Sequence, residues 1–165
     1  AGEIMQRFDS IAPNLDRDLF NQNNPICFDS KGFLWIGSKT GLFKINLITK
    51  EYKRYQPDER NRNSINSKNY SVIFEDSRKN IWIGTENKGV NLYNAEKDDF
   101  TSFTKENSSS FSNNIITNIY EDKSSTIWFS TLEGGVSYFS YKNKQFEYFT
   151  HNPLDNNSIS SSKRI

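Results

Sequence analysis

The dipeptide Glu-Asp occurs twice in this chain, as Glu75-Asp76 and Glu121-Asp122, 46 residues apart. Two opposed carboxylates are what glycoside cleavage needs, one to donate a proton and one to act as base or nucleophile. These four, however, stand at repeated turn positions, and Asp29 fills the equivalent place 47 residues before Asp76. A carboxylate there can accept the backbone N–H groups of the turn that follows, which is a structural task. The other reactive side chains are single. Cys27 lies between Ile26 and Phe28 in an apolar run and reads as a buried, inert thiol. One cysteine also excludes an internal disulfide framework and a multi-cysteine zinc site. His151, the one histidine, precedes "NPLDNNS" in a connection and reads as a solvated side chain. The expectation is no catalytic residue, no metal and no cofactor.

The positions of these acids belong to a longer pattern. Trp35, Trp82 and Trp128 are 47 and 46 residues apart, and an acid (Asp29, Asp76, Asp122) lies six residues before each. A glycine follows each tryptophan by six or seven residues, at Gly41, Gly89 and Gly135. Eleven residues after each glycine comes an aromatic (Tyr52, Phe100, Phe146), and three further a second one (Tyr55, Phe103, Phe149). Nine residues on stands a serine: Ser64, Ser112 and Ser158. Six markers holding phase through three copies define a repeat, which takes precedence over any local reading.

Each copy divides into four short extended runs. In the second they are "YSVIFED" (70–76), "IWIGT" (81–85), "VNLYN" and "FTSFT" (100–104), separated by "SRKN", "ENKG" and "AEKDD". Tight links of this kind join antiparallel neighbours, and the aromatic and β-branched residues suit a pleated, half-buried surface. Four strands per 40–50 residues is the signature of a β-propeller blade. The expected fold class is therefore all-β, with about three four-stranded antiparallel blades. Each tryptophan is expected in the core between blades, each aspartate in the turn after the first strand, and each of Gly41, Gly89 and Gly135 in backbone conformations closed to other residues. A flat β-solenoid has shorter repeats, and helical repeats lack period-2 aromatics.

Blade repeats are expected at 26–65, 66–111 and 112–159, with a leading outer strand and connection at 1–25 and the truncated start of a further repeat at 160–165. Met5 and Phe8 have the spacing of Phe100 and Phe103, as in a lone outer strand, and the chain stops at "ISSSKRI". Propellers close with four to eight blades, so the whole of 1–165 reads as a partial propeller, with the remaining blades of the ring as partners and open sheet edges prone to association. The formal net charge of +1 leaves no electrostatic footprint for nucleic acid. No apolar run approaches the ~18 residues of a membrane span.

The stretches "DSKGFLWIGSKTGL", "EDSRKNIWIGTENKGV" and "YEDKSSTIWFSTLEGGV" resemble the regulator-propeller repeat of bacterial hybrid two-component sensors. "LFNQNNPICFDS" (19–30) resembles the opening of the first propeller in such sensors, and "HNPLDNNSISS" (151–161) their connection between blades. The resemblance implies seven-bladed propellers in a periplasmic region, followed by an immunoglobulin-like domain, a membrane span into the inner membrane, a histidine kinase and DNA-binding response-regulator modules. It also implies an oligosaccharide ligand, control of polysaccharide-utilisation genes and a dimeric parent. Membrane contact would come only through parts absent from this chain. Copy one lacks a residue between Trp35 and Gly41, and Ser130 replaces the glycine of "WIG".

In a four-strand meander the second and fourth connections share one face of the ring. The second connections vary between copies, and variable loops on a rigid scaffold are where recognition tends to reside. Lys39, Glu86, Asn87, Lys88 and Glu133 are therefore expected on a ligand- or partner-facing surface. The alternatives are a protein-interaction platform without small ligand, and a glycan-active enzyme of the sialidase or polysaccharide-lyase kind. The sialidase Asp-box S-x-D-x-G-x-x-W is imperfect here: Gly32 follows Asp29 by three residues, and copies two and three have no such glycine.

Overall fold

The computed structural model describes residues 19, 24–107, 111, 113–149, 151, 152, 154, 155 and 158. Within them the chain forms three four-stranded antiparallel meanders. The first contains β1 (Ile26–Phe28), β2 (Phe33–Ser38), β3 (Gly41–Asn46) and β4 (Tyr52–Tyr55). The second contains β5 (Tyr70–Glu75), β6 (Ile81–Thr85), β7 (Val90–Asn94) and β8 (Asp99–Phe103). The third contains β9 (Ile116–Glu121), β10 (Thr126–Thr131), β11 (Gly135–Ser140) and β12 (Gln145–Phe149). The expected all-β class and four-strand blade plan are thus those of the chain. Residues 4–8 and 160–165, where flanking strands were expected, lie outside the described residues, as does Ser112.

Period-2 alternation gives every blade two faces, and the blades stack face to face. Trp35, Leu42 and Tyr55 of the first blade meet Tyr70, Ile73, Ile81, Ile83, Tyr93 and Phe100 of the second in one core cluster. Trp82 and Val90 of the second meet Ile116, Ile119, Ile127, Phe129 and Phe139 of the third in another. The far face of the first blade (Leu34, Ile36, Phe43, Ile45) packs with Leu19. Trp35 and Trp82 are fully buried. Trp128 differs: it is half-buried, and its aromatic contacts are Tyr138 and Phe149 of its own sheet.

The small residue of "WIG" explains how close the blades come. A Cβ on Gly37 would lie 2.7 Å from Tyr70 Cβ, and one on Gly84 would lie 2.8 Å from Ile116 Cγ2. Each glycine thus makes room for the inner strand of the following blade. Ser130, at the third such position, bonds instead within its own sheet, its hydroxyl 2.8 Å from that of Thr117.

Candidate functional site

The repeated aspartate builds the same clasp in every blade. Asp29 Oδ1 accepts the N–H groups of Lys31 and Phe33 at 3.0 and 2.9 Å, and its Oδ2 accepts the Trp35 indole N–H at 2.7 Å. Asp76 does so with Arg78, Asn80 and Trp82, and Asp122 with Ser124, Thr126 and Trp128. Sequence reasoning reached the turn bonds but missed the indole, whose only signal was the invariant six-residue spacing. The turn needs a left-handed residue three places after the aspartate: Gly32 has φ 86°, while Lys79 and Ser125 take φ 69° and 59° without being glycine. The Asp-box glycine is therefore absent from copies two and three without loss of the turn.

The neighbouring glutamates join blades. Glu75 accepts the backbone N–H and hydroxyl of Ser30 at 2.8 and 2.7 Å, across the first seam. Glu121 accepts the same two groups of Ser77 at 2.7 and 2.6 Å, across the second. Glu75, Asp76, Glu121 and Asp122 are all engaged in architecture. Among the described residues no cluster of potential metal ligands occurs. Cys27 is half-buried rather than buried, and burial pushes its thiol pKa up, away from the reactive thiolate. His151 is exposed.

One face carries the β2–β3, β6–β7 and β10–β11 loops together with the connections between blades. Lys39, Glu86, Asn87, Lys88 and Glu133 are all exposed there. The backbone beneath them is fixed. Ser38, Thr85 and Thr131 each donate a hydroxyl to the carbonyl of Gly41, Gly89 or Gly135 at 3.1, 2.8 and 3.0 Å. These glycines have φ 145°, 69° and 79°, and a Cβ on Gly89 would stand 2.2 Å from the Phe103 carbonyl oxygen. Cross-links tie the loops to the connections: Asn66 Nδ2 donates to the Lys88 carbonyl at 2.7 Å, and Gly89 N–H to the Asn114 carbonyl at 2.8 Å. Asn87 accepts from the Ser67 hydroxyl at 3.0 Å, so its side chain is partly committed. The marker serines close the connections, Ser64 with Asp58 and Ser158 with Asn152.

The opposite face holds a cleft of about 430 Å³ at the first seam, lined by Asp29, Lys31, Trp35, Lys44, Glu75, Tyr93 and Ala95 among others. The Lys44 ammonium lies 4.5 Å from the Phe33 ring centre and 4.9 Å from that of Tyr93, and donates to the Tyr93 hydroxyl at 3.0 Å. Burial lowers its pKa, with Asp98 and Asp29 pulling the other way. Asp98 Oδ1 accepts the hydroxyls of Tyr55 and Tyr93, each at 2.5 Å, and Oδ2 pairs with Lys53. Burial works to raise the Asp98 pKa, but the bonds from Lys53, Tyr55 and Tyr93 outweigh it and bring it down to about 2. Burial and the bond to Asp98 push Tyr93 up to about 12. No sequence motif marked this cleft, because its walls come from two blades.

The Two component regulator propeller family matches residues 64–87 and 110–133, one stretch running into the second blade and one into the third. Among solved structures, the chain is similar to the extracellular domain assigned to a hybrid two component system of B. thetaiotaomicron. The two are 20% identical with a TM-score of 0.71, over 84% of this chain and 19% of that one. A second such domain from the same organism is also 20% identical, with a TM-score of 0.65, over 94% of this chain and 22% of the other. Virginiamycin B lyase from Staphylococcus aureus is 17% identical with a TM-score of 0.58, over 84% of this chain and 45% of the lyase. At these identities the likeness is one of fold, and the chain spans about a fifth of the first structures it matches. No curated protein matches the chain.

Proposed function

We propose, from the premise that this chain carries two-component regulator propeller repeats, that it is a ligand-sensing extracytoplasmic segment of a hybrid two-component sensor. In this reading the parent is a dimeric histidine kinase and response regulator of the inner membrane, and the blades lie in the periplasm. The ligand is an oligosaccharide whose presence switches on polysaccharide-utilisation genes. The segment itself binds and does no chemistry.

The observation that carries the reading is the coincidence of the family match with blades that superpose on extracellular domains of hybrid two-component systems. The five exposed loop residues Lys39, Glu86, Asn87, Lys88 and Glu133 supply charges and an amide on a backbone fixed by hydrogen bonds. Such a preorganised surface binds without a large ordering cost. In the whole receptor, a ligand acts by favouring one arrangement of propellers or subunits over another.

Calorimetric titration of the chain with a panel of oligosaccharides tests this. The expected result is saturable binding to one class, weakened about tenfold or more by joint replacement of Glu86, Asn87 and Lys88 with alanine, since charge-assisted hydrogen bonds are each worth about 1.5–3 kcal/mol. Binding that ignores the triple replacement would move the site elsewhere. A panel that gives no binding, with capture of a peptide or protein instead, would replace the glycan reading with an interaction platform, and turnover of a glycan would make the segment an enzyme.

A further inference from the structure

The two seams between blades are built to one plan, and the first holds the cleft of about 430 Å³. At the second seam Tyr141, just beyond β11, reaches back to the preceding blade. Its hydroxyl donates to Asp76 Oδ2 and accepts from Asn80 Nδ2 at 2.7 Å, and its ring lies under the Arg78 guanidinium at 4.4 Å. Aligned on Gly89 and Gly135, the residue corresponding to Tyr141 in the second blade is Ala95. Ala95 is exposed and lines the cleft of the first seam.

The groups that receive Tyr141 have counterparts in that cleft. Asp29 corresponds to Asp76; it is 4% exposed, and its Oδ2 holds the Trp35 indole as Asp76 Oδ2 holds that of Trp82. Lys31 corresponds to Arg78, and Phe33 to Asn80. The lost amide donor has a replacement on the adjacent strand. Lys44 stands opposite Trp35 where Leu92 stands opposite Trp82, so an ammonium enters the first seam where the second has an aliphatic side chain. One wall therefore offers a carboxylate acceptor, Asp29, and a cationic donor, Lys44. The Lys44 ammonium lies over the rings of Phe33 and Trp35 and gives one of its three N–H bonds to the Tyr93 hydroxyl.

We infer that the cleft at the first seam is a binding site for a phenolic ring, which takes the place that Tyr141 fills at the second. The ring hydroxyl donates to Asp29 Oδ2 and accepts from Lys44, and the ring itself lies against Lys31 over the space left by Ala95. The site accepts a free phenol or a tyrosine side chain presented by a peptide. It lies on the face opposite the exposed β6–β7 loop, so it is independent of the oligosaccharide reading.

The test is a titration of the 165-residue chain with p-cresol, followed through the indole N–H resonances of the tryptophans. The Trp35 signal is expected to shift and saturate, while those of Trp82 and Trp128 stay in place. Toluene, without the hydroxyl, is expected to bind about tenfold more weakly, the equivalent of one lost hydrogen bond. Ala95→Tyr, which supplies the ring in cis, is expected to abolish the shift and to raise the melting midpoint by a few degrees. A tyrosine-containing dipeptide amide competing with p-cresol would extend the site to peptide side chains, and its failure to compete would confine it to free phenols. An unmoved Trp35 resonance, equal binding of toluene, or shifts that persist in folded Ala95→Tyr would overturn the assignment.

Discussion

Asp98 gathers three donors, from Tyr55, Tyr93 and Lys53, at a turn residue that itself sits at φ 55°. Its folded-state pKa of about 2 lies below the unfolded value of about 3.9. The ionised form therefore favours folding, fully above the unfolded pKa, and the contribution is lost as pH falls towards the folded one. Because the carboxylate is partly exposed, the effect is expected at no more than about 1 kcal/mol. Urea midpoints of Asp98→Asn should differ from the parent near neutral pH and converge with it in strong acid. A second residue-scale prediction concerns the turn after each aspartate. Lys79 and Ser125 hold the left-handed backbone that Gly32 adopts freely. That conformation costs a side-chain-bearing residue about 1–2 kcal/mol, whereas glycine loses about 0.5–1 kcal/mol of chain entropy. Lys79→Gly and Ser125→Gly should each stabilise the chain by up to about 1 kcal/mol, read as a higher urea midpoint with unchanged slope.

At the level of strands and sheets, close approach is the controlling quantity. Gly84 lies where a Cβ would stand 2.6 Å from Val72 Cγ1 and 2.8 Å from Ile116 Cγ2. Gly84→Ala must push apart strands of two blades and is expected to cost about 1–3 kcal/mol, the usual range for overpacking. Ser130→Gly, at the matching position of β10, should change stability far less, since Ser130 makes its contact within its own sheet. Chemical denaturation of the two variants side by side checks the contrast. The substitution of serine for glycine in copy three was legible in the sequence as a departure from "WIG". Its meaning was not, because the residues that demand glycine, Tyr70 and Ile116, lie 33 and 32 positions further along the chain.

For the molecule as a whole, stability resides in the seams. Trp82 is fully buried among Phe103, Phe129, Phe139 and Phe146, and Trp35 among Tyr55 and Tyr93. Deleting a buried large aromatic costs about 3–5 kcal/mol, so Trp35→Ala and Trp82→Ala should lose that much or fail to fold. Trp128 is half-buried against its own sheet, and Trp128→Ala should cost clearly less than either. Equal losses at all three sites would contradict the packing described. The cross-seam bonds from Ser30 to Glu75 and Ser77 to Glu121 then set the register of the stacked blades.

Sequence alone determined the blade: the four strands, the turns between them and the residues that recur. Those features depend on alternation and on local backbone preference, which act over a few residues and repeat with the copy. The exposed loops were legible for the same reason, as the places where the copies disagree. Tertiary structure decided what lies between the blades, including the indole held by each aspartate and the glutamate–serine clasp. It also decided that Trp128 is less buried than its counterparts, and that Tyr141 reaches across the second seam to Asp76 while Ala95 lines the cleft at the first. These depend on which side chains from segments about 45 residues apart meet across a seam, and the spacing along a chain does not carry that information until the sheets are stacked.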